Sequence, residues 1–540
     1  MTTLSLSRML SSRAAGGVAA ALTAALMLTT AHAPAAAADA TTLVIARSMD
    51  VNALDPARAF CDTCQIVLSA LYDTVVGLGP DNKSIVPKLA TKWEVNANQT
   101  EFIFHLNPAA KFADGSPVES KDVKWTWERL KNLKGNPSFF MDGIDAITTP
   151  DAATIDVKLT APNSEFLNKL TGTYTGIINS DVAIAAGATA DAGADKSDKS
   201  ENWFLANSAG SGPFVLTSYK PEDEVRMARN DAYWDGKPAF TQVVMRQAKD
   251  SVAQSQMLES GDADIAMQVD FDTAKSMNSP EITVKSVPSY NYLYIGLGAG
   301  AKSNAVPLTF DVREAISLAI DYDGMIDFTV GGEGKKQPSP IPNGFPGTDG
   351  LAEPKMDLDK AKALLAKAGL ADGFKMEAVY PNDNVYGVDI NLMMQKVQQD
   401  LAAVNISLNL KPVTYPVWRD QLNGDGIPMT AVYYAPDYYG TGQYASYFAM
   451  MPGTSWSKRA GAAAQPSIIN PKETSLLEKA LAASQTDQIG LFHELAKEIT
   501  KDKIIIPMVS PNLVLAYRSD IQGVRYSACC NLPISELSRK

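Results

Sequence analysis

Histidine is nearly absent from this 540-residue chain, which has only three, His32, His105 and His493. Metal held through imidazole and a histidine-based catalytic triad are therefore both disfavoured. Neither G-x-S-x-G nor H-E-x-x-H occurs, and there is no Walker loop, so the common hydrolase, zinc-protease and nucleotide-binding signatures are missing. Positive charge is also short: 48 Lys and Arg stand against 60 Asp and Glu, a net charge of -12. Such a surface repels polyanions, which argues against nucleic acid or anionic lipid as a partner. Cysteine is limited to four residues, Cys61 and Cys64 in CDTCQ and Cys529 and Cys530 in SACCN. After residue 38 no apolar run approaches the roughly 20 residues needed to cross a bilayer, so no membrane insertion of the mature chain is expected.

The first 38 residues differ from the rest. Arg8 and Arg13 precede an apolar stretch at 14–28 and then a run of small residues, the pattern of a secretory signal with cleavage after Ala38. Export to the periplasm is the expected fate, and it makes disulfides the default for the cysteines. Four cysteines allow three pairings, and two bridges joining the N-terminal region to the C-terminal tail are the favoured arrangement. The remaining composition, 46% hydrophobic and 20% charged, is that of a globular protein long enough for two or three lobes.

Local patterns suggest a mixed α/β chain. TTLVIARS (41–48) suits a buried strand, and Ser48, Met49 and Asp50 leave its carboxyl end as candidate cleft residues. TKWEVNANQTEFIFHLN suits a hairpin in which Phe102, Phe104 and Leu106 share a face, with His105 opposite in a structural role. SKDVKWTWERLKNL, FDVREAISLAI and DLDKAKALLAKAGL suit amphipathic helices, the second capped by Asp311 and the third stopped by Gly369. KIIIPMVSPNLVLAYR holds two further strands. The segment 181–200, poor in large apolar residues, fits a surface stretch or lobe boundary.

Two motifs suggest chemistry and do not hold. Ser455 and Lys458 match S-x-x-K without the companion motifs of serine acyl enzymes, which leaves a secreted acyl hydrolase a distant alternative. GLGAGA (296–301) follows a strand but opens no helix that could face a phosphate. More distinctive is YYAPDYYGTGQYASYF (433–448), with six tyrosines and a phenylalanine around one carboxylate, Asp437, backed by Tyr415 and Trp418. Rings of this kind grip a medium-sized solute at low entropic cost.

Several blocks taken together resemble one family. LDPA (54–57), LATKWEVNANQTEFIFHLNPAAKFADGSPVESKDVKWTWERL (89–130), SGPFVLTSYKPEDEVRMARNDAYWDGKP (211–238), FDVREAISLAIDYDGMI (310–326) and DLDKAKALLAKAGLADGF (357–374) are similar, in order and spacing, to the extracytoplasmic solute-binding proteins of ABC importers, oligopeptide and dipeptide class, family 5. The resemblance implies a periplasmic-binding-protein-like (Venus-flytrap) α/β fold of two main lobes joined by a hinge, with a smaller lobe inserted. Lobe I would comprise 39–85, 205–290 and 508–540, lobe II 86–204, and lobe III 291–507. The implied protein is a monomer without catalytic residue, metal or cofactor; it delivers a peptide or other small solute to the membrane permease. In peptide binders of the family an aspartate in G-W-x-x-D-Y pairs with the ligand's amino terminus, and Asp437 stands at that position, with Tyr434 in place of the tryptophan. Tyr433, Tyr415, Trp418 and Ser48 to Asp50 would line the same cleft. The loop that carries a carboxylate-binding arginine in dipeptide binders has Asn384 instead, which leaves Arg459 as another candidate for that role. Opines and oligosaccharides are the alternative cargo.

Overall fold

A computed structural model describes residues 41–540; the expected signal segment, 1–38, lies outside the described residues. Its mixed α/β architecture rests on three principal sheets. The first has seven strands in the order 282–287, 513–518, 265–266, 42–47, 242–247, 224–229 and 214–220. At its centre Thr42–Arg47 pairs in parallel with strands on both sides. That position explains why TLVIAR is apolar without alternation: both faces are covered by protein.

The second sheet has six strands in the order 334–335, 505–511, 292–297, 429–434, 374–381 and 406–413. Tyr292–Leu297 is buried along its whole length and pairs antiparallel with two neighbours. The third sheet is antiparallel and four-stranded, 90–95, 101–106, 154–159 and 144–151, and lies wholly within 86–204. There Glu101–Leu106 buries alternate residues, Phe102, Phe104 and Leu106, against Ser120–Asn132, whose start is fixed by a capping box between Glu119 and Asp122. His105 on the opposite face meets Glu94 at 3.2 Å.

The chain passes between the first two sheets twice, at 288–291 and at Asn512. The strand Ile505–Pro511 thus belongs to the six-stranded sheet, so the second passage falls beyond the expected 508. The helix Phe310–Ala319 takes Thr309 as its N-cap residue and not Asp311, which sits in the first turn. Gly369, at φ +76, ends the turn after Leu358–Lys367 as anticipated.

The hydrophobic interior divides unevenly. One continuous core joins the seven-stranded and four-stranded sheets, so the residues expected to form lobes I and II make a single packed body. A second core fills the six-stranded lobe. Tyr438 crosses this division: it lies in the bend that follows the strand Met429–Tyr434 of the six-stranded sheet, yet its ring packs in the other core, 5.7 Å from Phe140.

Candidate functional site

The helix Asp62–Leu71 starts beneath the end of the central strand of lobe I. Asp50, just past that strand, accepts hydrogen bonds from the amides of Asp62 and Thr63 and from the Thr63 hydroxyl at 2.5 Å. This satisfies free amides of the first turn and places a carboxylate at the positive end of the helix dipole. Asp62 and Gln65, one turn apart, then project toward the six-stranded lobe.

Three side-chain pairs cross from that helix region to lobe III. Gln65 donates to the Asp437 carboxylate at 3.2 Å, Tyr386 donates to Asp62, and Tyr433 approaches Asp50 at 3.4 Å. Asp437 is 4% exposed and also accepts from the Tyr434 hydroxyl at 3.0 Å. Burial pushes its carboxyl up to about 7, and Asp62 is raised to about 7 by burial and by the neighbouring Asp50. No basic side chain lies within ion-pair distance of Asp437 among the described residues; its partners are an amide and a phenol. Acidic side chains predominate here: Asp383 faces Asp50, and Arg47, opposite Asp62, is a cation among them.

The other expected residues separate into two groups. Tyr433, Tyr434, Ser48, Met49 and Asp50 gather at this seam; the backbones of Ser48 and Met49 are held by Gln268 and Gln247. Tyr415 is 39% exposed, and its hydroxyl faces Tyr447, Arg419, Asp50 and Arg459. Trp418 instead points into the core of lobe III, where its indole N–H is spent on Thr430 at 2.7 Å. Asn384 lies in a short strand beside Asp383, its side-chain oxygen buried without a hydrogen-bond partner. Ser455 and Lys458 share a five-residue helix, Lys458 is exposed, and no hydrogen bond joins them among the described residues.

The cysteines correct the expected pairing. Cys61 and Cys64 are joined to each other, with Cα atoms 5.1 Å apart, whereas Cys529 and Cys530 are free. The tail does reach the helix, but Cys530 meets Ser69 in the turn beyond Cys64, so the four sulfurs are not juxtaposed as cross-bridges. No metal-binding cluster occurs among the described residues.

Lobe II contributes groups that the sequence did not single out. Glu165 accepts from the backbone amides of Thr441 and Gly442 at 2.7 and 2.8 Å, at the N-terminus of the helix Thr441–Phe448. Burial raises it to about 7 despite these bonds. Asn168 donates to the Tyr439 carbonyl at 2.7 Å, and the Ser164 amide to Leu481 at 2.8 Å. A separate cavity of about 150 Å³ lies beneath the two lobe crossings, lined in part by Tyr290, Lys335, Ser510 and Tyr526, away from Asp437.

Residues 84–455 match the family described as bacterial extracellular solute-binding proteins, family 5. The chain belongs to that family. Family 5 solute-binding proteins bind small-molecule or peptide ligands and deliver them to ABC permeases. The chain is 27% identical over 490 residues to a probable D,D-dipeptide-binding periplasmic protein of Escherichia coli, covering 89% of this chain and 90% of that one. Its fold matches a dipeptide-binding protein of Pseudoalteromonas solved with Met-Leu, at a TM-score of 0.81 and 18% identity over 92% of this chain and all of the other. A binding protein of Agrobacterium solved with agropinic acid matches at 0.78 and 22% identity, over 92% and 99% of the two chains. These relatives are solute-binding proteins and not enzymes, and no helix among the described residues is long and apolar enough to cross a membrane.

Proposed function

We propose that this family 5 protein works in the periplasm and captures a peptide or peptide-like solute bearing an amine, which it encloses between lobes I and III and presents to its permease. Asp437 carries this reading. A carboxylate buried between two lobes, with only neutral donors around it, is held at a cost that a ligand ammonium would offset. The ring of Tyr434, 4.8 Å from that of Tyr447, supplies apolar wall beside it, and Tyr433 and Tyr415 extend that wall in this reading. Peptide-binding relatives agree with such a cargo. Closure follows from differential affinity: a solute that touches both lobes binds the closed form better and shifts the population toward it.

An opine is the second reading, supported by the likeness to the agropinic acid binder. In that case the tyrosine wall does most of the gripping. Native mass spectrometry of protein purified without refolding, followed by amine-selective acylation of the released solute, tests the proposal. A retained solute that takes the acyl tag is expected; one with no basic nitrogen would sink the role of Asp437.

A further inference from the structure

Cys529 and Cys530 lie in a loop that turns back on itself. Ser527 and Asn531 form an antiparallel bridge, the Ser527 amide donating to the Asn531 carbonyl at 3.1 Å and the Asn531 amide to the Ser527 carbonyl at 2.8 Å. Asn531 takes φ +57, a left-handed conformation that asparagine tolerates, which lets the chain reverse over 528–530. Because the ends of this loop are already pinned, a bond between its two sulfurs removes little further freedom.

The two thiols are unequal. Cys529 is partly exposed, whereas Cys530 is 1% exposed and meets Ser69. The Cys529 sulfur lies 3.2 Å from the Ser527 hydroxyl. Hydrogen bonding with the Cys530 thiol and with Ser527, together with the nearby Arg525, holds the Cys529 thiol below its ordinary value. Arg525 is itself fixed on Glu536 through two nitrogens, at 2.7 and 2.5 Å. A reachable thiolate with a shielded sulfur against it is the arrangement of an attacking and a resolving cysteine. The chain's other two cysteines are joined to each other, so neither is left to bridge this pair.

The loop is also tied to a lobe crossing. The Asn531 side-chain oxygen accepts from the side-chain amide of Asn291 at 3.0 Å, and Asn291, at the end of the crossing 288–291, is fully buried. Tyr526, just before the loop, accepts from the Tyr290 amide at 3.2 Å. The Ala528 amide donates to Asn82 at 2.9 Å, and Asn82, Tyr290 and Tyr526 all line the cavity beneath the crossings. A change of shape in the loop is therefore felt where the chain passes between the lobes.

We propose that Cys529 and Cys530 are a modification site, a dithiol that closes on itself to a vicinal disulfide, and that closing it stiffens the crossing at 289–291. The oxidant is an external disulfide, small or protein-borne, the class that an oxidising compartment supplies. The Cys529 thiolate attacks one sulfur of that disulfide, forming a mixed disulfide and expelling a thiolate. Cys530 then gives up its proton and attacks the Cys529 sulfur, expelling the second thiolate. The chain loses two electrons and two protons, and the external disulfide becomes two thiols. Adjacent Cα atoms stand about 3.8 Å apart, closer than the ~4.4 to 6.8 Å of an ordinary bridge, so the bond is strained and readily reduced. Neither step involves the solute, so the site is independent of the Asp437 reading.

The test incubates the full mature protein, folded and previously reduced only at this pair, with oxidised glutathione, followed by alkylation and tryptic mass mapping. The peptide 526–539 should resist alkylation, carry no glutathione and be lighter by two hydrogens, and excess reduced glutathione should reverse this. Cys530→Ser should stop at a glutathione adduct on Cys529, and Cys529→Ser should take up none. Should a variant fail to fold, the wild-type map still decides. A lasting glutathione adduct on the wild type would overturn the site, as would linkage of 526–539 to the peptide of Cys61 and Cys64. Thiols that react only after denaturation would overturn it too. Hydrogen exchange at 289–291 should be about threefold or more slower in the bridged form, the factor that one secured hydrogen bond supplies. Equal exchange in the two forms would overturn the coupling to the crossing.

Discussion

Lobe III meets the rest of the molecule along two seams built from different materials. Toward lobe II the partners are mostly backbone: Glu165 on two helix amides, Asn168 on a carbonyl and the Ser164 amide on another, with the Ser164 hydroxyl on the Gln488 side chain the exception. Toward lobe I they are side chains: Gln65 with Asp437, Tyr386 with Asp62, Tyr433 with Asp50. Glu165 and Asp437 are both buried carboxylates pushed up to about 7, but their donors differ in kind. Amides at a helix end are fixed and accept no substitute, whereas an amide side chain and a phenol can swing aside for a stronger cationic donor. The first seam therefore suits holding lobes in register, and the second suits exchange with a solute.

The sharpest way to break the contrast is Asp437→Asn. If a buried ammonium pairs with this carboxylate, affinity for the retained solute should fall by about 2 to 5 kcal/mol, read by calorimetry. Unchanged affinity would place Asp437 in the same structural class as Glu165. Glu165→Ala should act the other way round. It leaves two amides of the 441–448 helix without their acceptor, and stability should drop by about 2 kcal/mol or more, with solute affinity altered only through the open population. Thermal melts and small-angle scattering of the solute-free protein check this; a melting point within experimental error of wild type would remove the seam distinction.

Protonation sharpens it further. Asp62, Asp437 and Glu165 all have folded values near 7, above their values in an unfolded chain, so the folded form retains protons that the unfolded form releases. Their contribution to the stability of the solute-free closed form is complete below about pH 4 and is lost as pH rises through about 7. Binding of an ammonium needs ionised Asp437, so affinity should climb from pH 5 to about 7 with release of a proton, then fall as an α-amino group near 8 loses its own. Calorimetry at pH 6 in two buffers of different ionisation heat measures that proton, and in Asp437→Asn it should vanish. The smallest effect is expected from Tyr433→Phe, which removes only a 3.4 Å approach to Asp50 and should change solute affinity by about 0.5 kcal/mol. A much larger loss would mean that this hydroxyl contacts the solute itself.

Much of the scaffold was legible because its signals are local. TTLVIARS, the hairpin around NANQT and the helices at 120–132 and 358–367 all announce themselves by periodicity and by turn or cap residues. The exact start of the 310–319 helix was less so, since both Thr309 and Asp311 are plausible first-turn residues and only the backbone angles choose between them. The site was half legible. Asp437 and its tyrosines stand in one conspicuous stretch, but Gln65 lies 372 positions away and Glu165 lies 276 from Thr441. No pattern in a single sequence reports such pairs. A hint existed in Asp62 and Gln65, polar residues three apart at the start of a helix whose next turn, Ile66 to Leu68, is apolar and buried. Trp418 misled because ring content alone does not distinguish a cleft wall from a core. The cysteines misled because the tail does pack on the N-terminal helix, one turn out of register for bridging.

Tyr438 gives the closed state a mechanical character of its own. Its ring sits in a socket furnished by Phe140 and other residues of a foreign core, adjacent in sequence to the carboxylate proposed to meet the solute. If release of a solute parts this lobe from the rest, that ring leaves its socket and both become wet, so a greasy peg would slow release alongside any bond to the solute itself.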